Sequence, residues 1–547
     1  MKLRNLANKF LLVIAVAVLL FSNFTFVAVP SITHLTPADD AITPFTKTYA
    51  YDQYNENQPT HESIYTALGV TDYVDYLLAL SATQKLNDIV IAVVDTGLDN
   101  SQPVFADRVL TEYAMDFSNG LPSTDNNHWN VDENGHGTHV AGLIADMTLP
   151  NVKILPLKIF RGVNNKSGDY SFLNAMRYLC ALKSGEKVTL LDNSGAESKT
   201  YYNTNKVKIA NIVAVNLSLG SSGFDVTSRM DMAEFRTEKY GYTQNGVFYT
   251  GYQNIIDNLI KKDILPIVAA GNRTSGEHNG KAYYCLPGAC DGVLQVSAYE
   301  NTENEYALAN YSYYNDCVSL AAPGTKIWSA CSDDIASKLT SEHIQETDLL
   351  HGRIHYEYNY GTSSNPKTWY VMKDANDVFY LRSTGTSMAT PFVAACYALL
   401  MSDSSKVEAA DYGLTSWEPE NKNGDDAKFM TIAHKALLAA AATDGVHTAT
   451  YSEEFGYGTV AVGGFVPEEN TGTVRELVNI NYEVQPSTTY QNASWDGMNF
   501  VEENSNVDWF MIGVVLCVGF VGIYVFKSFR DYYAMVLTRR KETNDDE

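Results

Sequence analysis

Residues 88–94 form an almost unbroken apolar, β-branched run with no polar alternation. Such a run suits a strand buried on both faces, as in a parallel sheet covered by helices. Similar runs occupy residues 152–160, 209–219 and 264–270, with shorter ones at 292–297 and 317–321. Between and around them, residues 71–80, 171–182, 252–262 and 388–401 carry apolar residues at helical spacing. Alternating strands and helices predict an α/β domain with a parallel central sheet and helices on both faces. At 547 residues and 45% hydrophobic content, the chain can bury one large domain of this kind plus appendages.

Two stretches break the rhythm. Residues 183–208 are polar, and residues 331–383 alternate aromatic with polar side chains, as in Tyr356-Glu357-Tyr358-Asn359-Tyr360. Both read as surface insertions with a β-hairpin each, on a body spanning residues 59–465. Residues 29–58 read as an irregular arm, and residues 466–508 as an acidic stalk.

The ends carry targeting patterns. Lys2, Arg4 and Lys9 precede an apolar run from Phe10 to Phe21, and Ala28 is a candidate cleavage point, so residues 1–28 read as a signal peptide. A retained N-terminal anchor is the alternative. Residues 509–526 hold no charge and are long enough to span a bilayer. Acidic residues, among them Glu502, Glu503 and Asp508, precede this run, and Lys527, Arg530, Arg539, Arg540 and Lys541 follow it. The positive-inside rule puts the 527–547 tail in the cytoplasm and the main body outside the cell. A net charge of −25 argues against nucleic acid as a partner. Of the seven cysteines, Cys285 and Cys290 are the first candidates for a disulfide in an exported domain, and Cys317 with Cys331 the second. Cys180 and Cys396 read as buried thiols. No Cys/His spacing resembles a zinc site.

Three short segments carry the chemistry: Val93-Val94-Asp95-Thr96-Gly97, Asn134-Gly135-His136-Gly137-Thr138-His139 and Gly385-Thr386-Ser387-Met388-Ala389. A serine hydroxyl attacks a carbonyl only when a base removes its proton. An imidazole does this near neutral pH, and a carboxylate fixes its tautomer and stabilises the imidazolium. Asp95 ends a strand pattern, His136 opens a helix pattern, and Ser387 sits just before another. Asp99 and His139 are the alternatives for acid and base. A second Gly361-Thr362-Ser363 has no apolar helix after it and reads as a decoy.

The order Asp, His, Ser and the full segments closely resemble the subtilisin-like serine proteases, the subtilases, over roughly residues 73–464. The resemblance implies a subtilisin-like three-layer fold and peptide-bond hydrolysis through an acyl-enzyme. It assigns the catalytic roles to Asp95, His136 and Ser387. It also makes Asn272, in Ala269-Ala270-Gly271-Asn272, an oxyanion-hole donor, with the Ser387 N–H as the other. Ser218-Leu219-Gly220 resembles the edge that pairs with substrate backbone. Arg273, next to Asn272, is a candidate specificity residue that would favour acidic side chains. Two departures stand out. The segment before residue 153 is too short for the family's calcium loop, so no metal or other cofactor is expected. The region ahead of the core is also short for the usual pro-domain. Signal, protease, stalk, membrane helix and basic tail together resemble the mycosins of bacterial type VII secretion. The chain is therefore expected to be a membrane-anchored extracellular serine endopeptidase acting on exported or surface proteins or peptides, with a secretion-system partner. The rival expectation is a structural component of a secretion or surface complex in which proteolysis is secondary or absent.

Overall fold

The computed structural model describes residues 61–466, apart from 123–126, 168–169, 193–196, 202–207, 221–223, 226–244, 274–282, 303–304, 361–366, 407, 413, 415–430 and 444–450. The expected signal peptide, arm, membrane helix and tail, and all of the stalk beyond Val466, lie outside the described residues. Among the described residues no helix is long and apolar enough to cross a membrane.

The chain opens with α1 (His61–Ala67), α2 (Val70–Ser81), β1 (Ile89–Asp95), β2 (Met115–Asp116), α3 (His136–Met147) and β3 (Val152–Lys158). Next come α4 (Ser171–Ser184), β4 (Val188–Leu191), β5 (Glu197–Tyr201), β6 (Ile212–Leu217), β7 (Phe224–Asp225) and α5 (Asn245–Lys261). Then follow β8 (Leu265–Ala269), β9 (Tyr283–Tyr284), β10 (Leu294–Thr302), β11 (Glu305–Leu308) and β12 (Val318–Pro323). The last part holds β13 (Ile327–Ala330), α6 (Asp333–Ala336), β14 (Ile344–Asp348), β15 (Arg353–Asn359), β16 (Thr368–Lys373), β17 (Phe379–Ser383), α7 (Thr386–Ser402) and α8 (Ile432–Thr443).

The central sheet has the order β11-β10-β8-β6-β1-β3-β2, with β12 also paired to β10. Every pairing in it is parallel except β10 with β11. All of β1 is buried, and its side chains alternate between two cores. Ile89, Ile91 and Val93 pack in one with α2, α3, α7 and α8; Val90, Ala92 and Val94 pack in the other with α4 and α5. A strand with period-two side chains and a helix layer on each face needs apolar residues at every position. This is the expected three-layer architecture, built as the β-branched runs predict.

The polar stretch after α4 forms the hairpin β4–β5, as expected. The second interruption is larger than a hairpin. It is a five-stranded antiparallel sheet, β13-β17-β16-β15-β14, and it begins at Ile327 rather than at residue 331. Its own small core joins Cys331, Ile335, Trp369, Val371 and Leu381. That core touches the helix carrying His136: a Cβ on Gly135 would fall 2.2 Å from Ile335 Cδ1.

Neither candidate disulfide forms. Cys285, Cys290, Cys317 and Cys331 form no disulfide among the described residues, and neither do the buried Cys180 and Cys396. Cys285 instead donates to the Ala270 carbonyl at 3.1 Å, and burial pushes its thiol pKa up to about 12. A thiol so held is a packing group with little thiolate character.

Candidate active site

The carboxyl ends of β1, β6 and β8, three adjacent strands, gather the candidate residues. In open parallel sheets this end is where ligands bind. Asp95 is the last residue of β1 and is buried. Its Oδ1 accepts the Thr96 N–H at 2.7 Å and faces His136 Nδ1 at 2.7 Å. Asp95 Oδ2 is buried and has no hydrogen-bond partner among the described residues. His136 is the first residue of α3, with a quarter of its side chain exposed. Gly137 is required beside it, because a Cβ there would lie 2.1 Å from the Gly97 carbonyl oxygen and 3.1 Å from Asp95 Cβ. The glycine lets the helix start close against the turn after β1.

A second carboxylate, Asp132, holds this half together, and the sequence reading missed it. It is fully buried. Its Oδ1 accepts from Thr96 Oγ1 at 2.7 Å and from the Gly135 N–H at 2.8 Å. Its Oδ2 accepts from the Thr138 N–H at 2.8 Å and Thr138 Oγ1 at 2.7 Å. Thr96 Oγ1 in turn accepts the Gly137 N–H at 2.8 Å. Asp132 therefore satisfies orphan N–H groups at the start of α3, where a negative charge also meets the positive end of the helix dipole. Its signal was an aspartate four residues before a helix-opening histidine, with hydroxyl residues close by.

Burial raises the Asp132 pKa, and the hydrogen bonds from Thr138, Thr96 and Gly135 oppose that rise. Burial alone would lower the pKa of His136. The Asp95 carboxylate, with a smaller push from Asp132, more than reverses this and leaves it above the ordinary histidine value.

The rival residues have other work. Asp99 accepts the Asp333 N–H at 2.6 Å and the Ser101 N–H at 3.0 Å, tying α6 to the turn after β1. His139 is fully buried, its Nε2 is 2.9 Å from the Ile327 carbonyl oxygen, and burial pulls its pKa down to about 3. The decoy Gly361-Thr362-Ser363 lies outside the described residues.

The other half of the site is built from neutral groups. Ser387 is the second residue of α7, within the first turn rather than just ahead of the helix. Its hydroxyl donates to the Ser218 carbonyl at 3.0 Å, and Ser218 Oγ donates to the Ser387 carbonyl at 2.7 Å. Asn216 Nδ2 supports Ser218 Oγ at 3.0 Å. Asn272 Oδ1 accepts the Thr386 N–H at 2.9 Å and Thr386 Oγ1 at 3.1 Å. That fixes the amide: with its oxygen committed to the helix start, Nδ2 is the group left to donate. Helices α3 and α7, which carry His136 and Ser387, pack on each other.

Leu219 is half-buried and Gly220 exposed. A Cβ on Gly220 would sit 2.9 Å from Cys285 Sγ, so the thiol backs this edge. Arg273 carries its guanidinium over the Tyr283 ring at 4.4 Å and the Tyr314 ring at 5.4 Å.

The sequence model of the subtilase family matches residues 87–458. Among curated relatives, fervidolysin of Fervidobacterium pennivorans is 28% identical over 309 residues, covering 52% of this chain and 35% of that protein. Thermitase of Thermoactinomyces vulgaris is 25% identical over 319 residues, covering 57% and 74%. The crystal structure of a lanthipeptide protease superposes with a TM-score of 0.42 at 19% identity, covering 74% of this chain and 95% of that one. The chain spans from about a third to a little over half of the length of the first curated relatives it matches.

Proposed function

The chain belongs to the subtilase family, and from that premise we propose that it is a serine endopeptidase, anchored in the membrane with its catalytic domain outside the cell. One observation carries the enzymatic part: Asp95, 2.7 Å from His136, ends β1, and Ser218, whose carbonyl accepts the Ser387 hydroxyl, follows the end of the adjacent strand β6. In this reading the Ser387 hydroxyl leaves the Ser218 carbonyl and donates to His136 Nε2. As Oγ attacks the peptide carbonyl, its proton passes to His136. The imidazolium is stabilised by Asp95. Asn272 Nδ2 and the Ser387 N–H take the oxyanion, aided by the start of the α7 dipole. His136 then returns the proton to the leaving amine, and water releases the acyl group by the same steps in reverse order. Residues 218–220 pair with the substrate backbone.

The anchoring rests on the uncharged run 509–526 and the basic residues that follow it. Such a tether favours exported or surface proteins as substrates. No calcium site is proposed for the four-residue turn between Met147 and Val152. Labelling of the full chain with a fluorophosphonate tests the enzymatic reading. Labelling that vanishes in Ser387→Ala supports it, and a folded wild type that takes up no label sinks it. Protease protection of intact cells, with a C-terminal tag inside and the domain outside, tests the anchoring.

A further inference from the structure

The five-stranded sheet runs straight into the nucleophile. Strand β17 ends at Ser383, and only Thr384 and Gly385 separate it from the start of α7. The two faces of this sheet differ. Phe379, Leu381, Trp369 and Val371 point into the sheet's own small core. On the opposite face, Tyr380, Met372 and Ala330 join the main core that also holds α7. Arg382 and Tyr370 continue that second face by strand alternation, and Trp328 does so on β13. They form one cross-strand row, with Trp328 opposite Arg382 and Arg382 opposite Tyr370. Here the face turns from packed core to half-open surface; Tyr370 is 38% exposed.

The Arg382 guanidinium lies 4.4 Å from the Tyr370 ring centre and 5.5 Å from that of Trp328. Its side chain makes no hydrogen bond or ion pair with any other described residue, and Glu357, across from Tyr370 on β15, does not reach it. Two aromatic faces hold an arginine in place while leaving the N–H edges of its planar fork unused. That fork fits a carboxylate in bidentate fashion, and holding it beforehand lowers the entropy lost on binding. The chain as a whole carries −25 and repels acidic peptides. A cation fixed a few residues before Ser387 offers one place where an acidic group can be accepted.

We propose that Arg382, between Trp328 and Tyr370, forms a carboxylate-binding subsite for a peptide lying in the cleft. Arg382 and Ser387 are five positions apart, so their Cα atoms lie no more than about 18 Å apart. An extended peptide covers that distance in about five residues. The carboxylate belongs to an Asp or Glu side chain or to the peptide's own C-terminus, within about five residues of the scissile bond. The proposal rests on the peptidase reading for what lies in the cleft, but its test does not need cleavage.

The full chain bearing Ser387→Ala is titrated with short fluorescein-labelled peptides, and anisotropy is read. One set is C-terminally amidated with Glu at successive positions, a second carries Gln at the same positions, and a third carries Gln with a free C-terminal carboxylate. Glu at one position is expected to bind about tenfold tighter than Gln. Adding Arg382→Gln erases that gap, and Arg382→Lys restores only part of it. A gain confined to the third set assigns the carboxylate to the chain end. Tyr370→Ala, at an exposed position, narrows the gap as well and serves if Arg382→Gln fails to fold. Equal binding of all three sets overturns the proposal, as does a gap unchanged in Arg382→Gln and Tyr370→Ala, or no detectable binding of any peptide. A wild type that cleaves nothing sinks the peptidase reading and leaves these binding results standing.

Discussion

The two halves of the site are held by different forces. Around His136 the organising groups are charged: two buried carboxylates, Asp95 and Asp132, collect the N–H and hydroxyl donors of Thr96, Gly135 and Thr138. Around Ser387 every organising group is neutral: serine and threonine hydroxyls, backbone carbonyls and the Asn272 amide. In the proposed mechanism the base stays put and carries a transient positive charge, which carboxylates hold strongly. The proposed nucleophile has to let go of its ground-state partner, and a hydroxyl bonded to a carbonyl costs only about 0.5–1.5 kcal/mol to release. Rigidity and readiness are thus separated in space.

Four substitutions break this comparison, in descending order of effect. Ser387→Ala removes the proposed nucleophile and is expected to lower kcat by about 10⁶-fold with the fold intact, read by peptide hydrolysis and thermal melting. Asn272→Ala is expected to cost about 10²–10³ in kcat with little change in KM. A KM effect of that size with kcat preserved would place Asn272 in substrate binding instead. Ile335→Ala hollows the contact between the second sheet and Gly135 and is expected to cost about 2–5 kcal/mol in urea unfolding. A cost under 1 kcal/mol would show that the sheet is not needed to hold the start of α3. Asp132→Asn keeps the shape and loses the charge and one acceptor oxygen. It is expected to cost about 1–3 kcal/mol. It should also shift the acid limb of the kcat/KM profile to lower pH, because the negative charge that helps raise the His136 pKa is gone. An acid limb that stays put or moves up would show that Asp132 acts on His136 only through structure.

The same contrast shows what the sequence could reveal. Central strands covered on both faces are written as unbroken apolar runs, so β1, β3, β6 and β8 could be read within a few residues. Asp95 and His136 were legible because small residues crowd them. The five-stranded sheet was not, because its strands mix aromatic and polar residues and its pairings join residues far apart, such as Ile327 with Ser383. Asp132 was hidden for a similar reason. Its role exists only when Thr96, 36 positions earlier, is folded against it. The register that draws Ser387 into the first turn of α7 depends on Asn272 accepting the Thr386 N–H, a bond across 114 positions. Cys285 and Cys290 stand close enough in sequence to suggest a bridge, yet Cys285 is spent on the Ala270 carbonyl.

His139 has a consequence for how this protein meets acid. Its ring joins α3 to β13 while neutral and buried, with a pKa near 3. The unfolded chain takes up a proton at this residue near pH 6.5, and the native chain does not. Stability supplied here is full above that value and drains away as pH falls towards about 3, by up to about 1.4 kcal/mol per pH unit. The helix that opens with His136 thus carries, one turn further on, a residue that sets an acid limit on the whole domain. Urea midpoints that stay level from pH 6.5 down to pH 4 would show that no such limit operates.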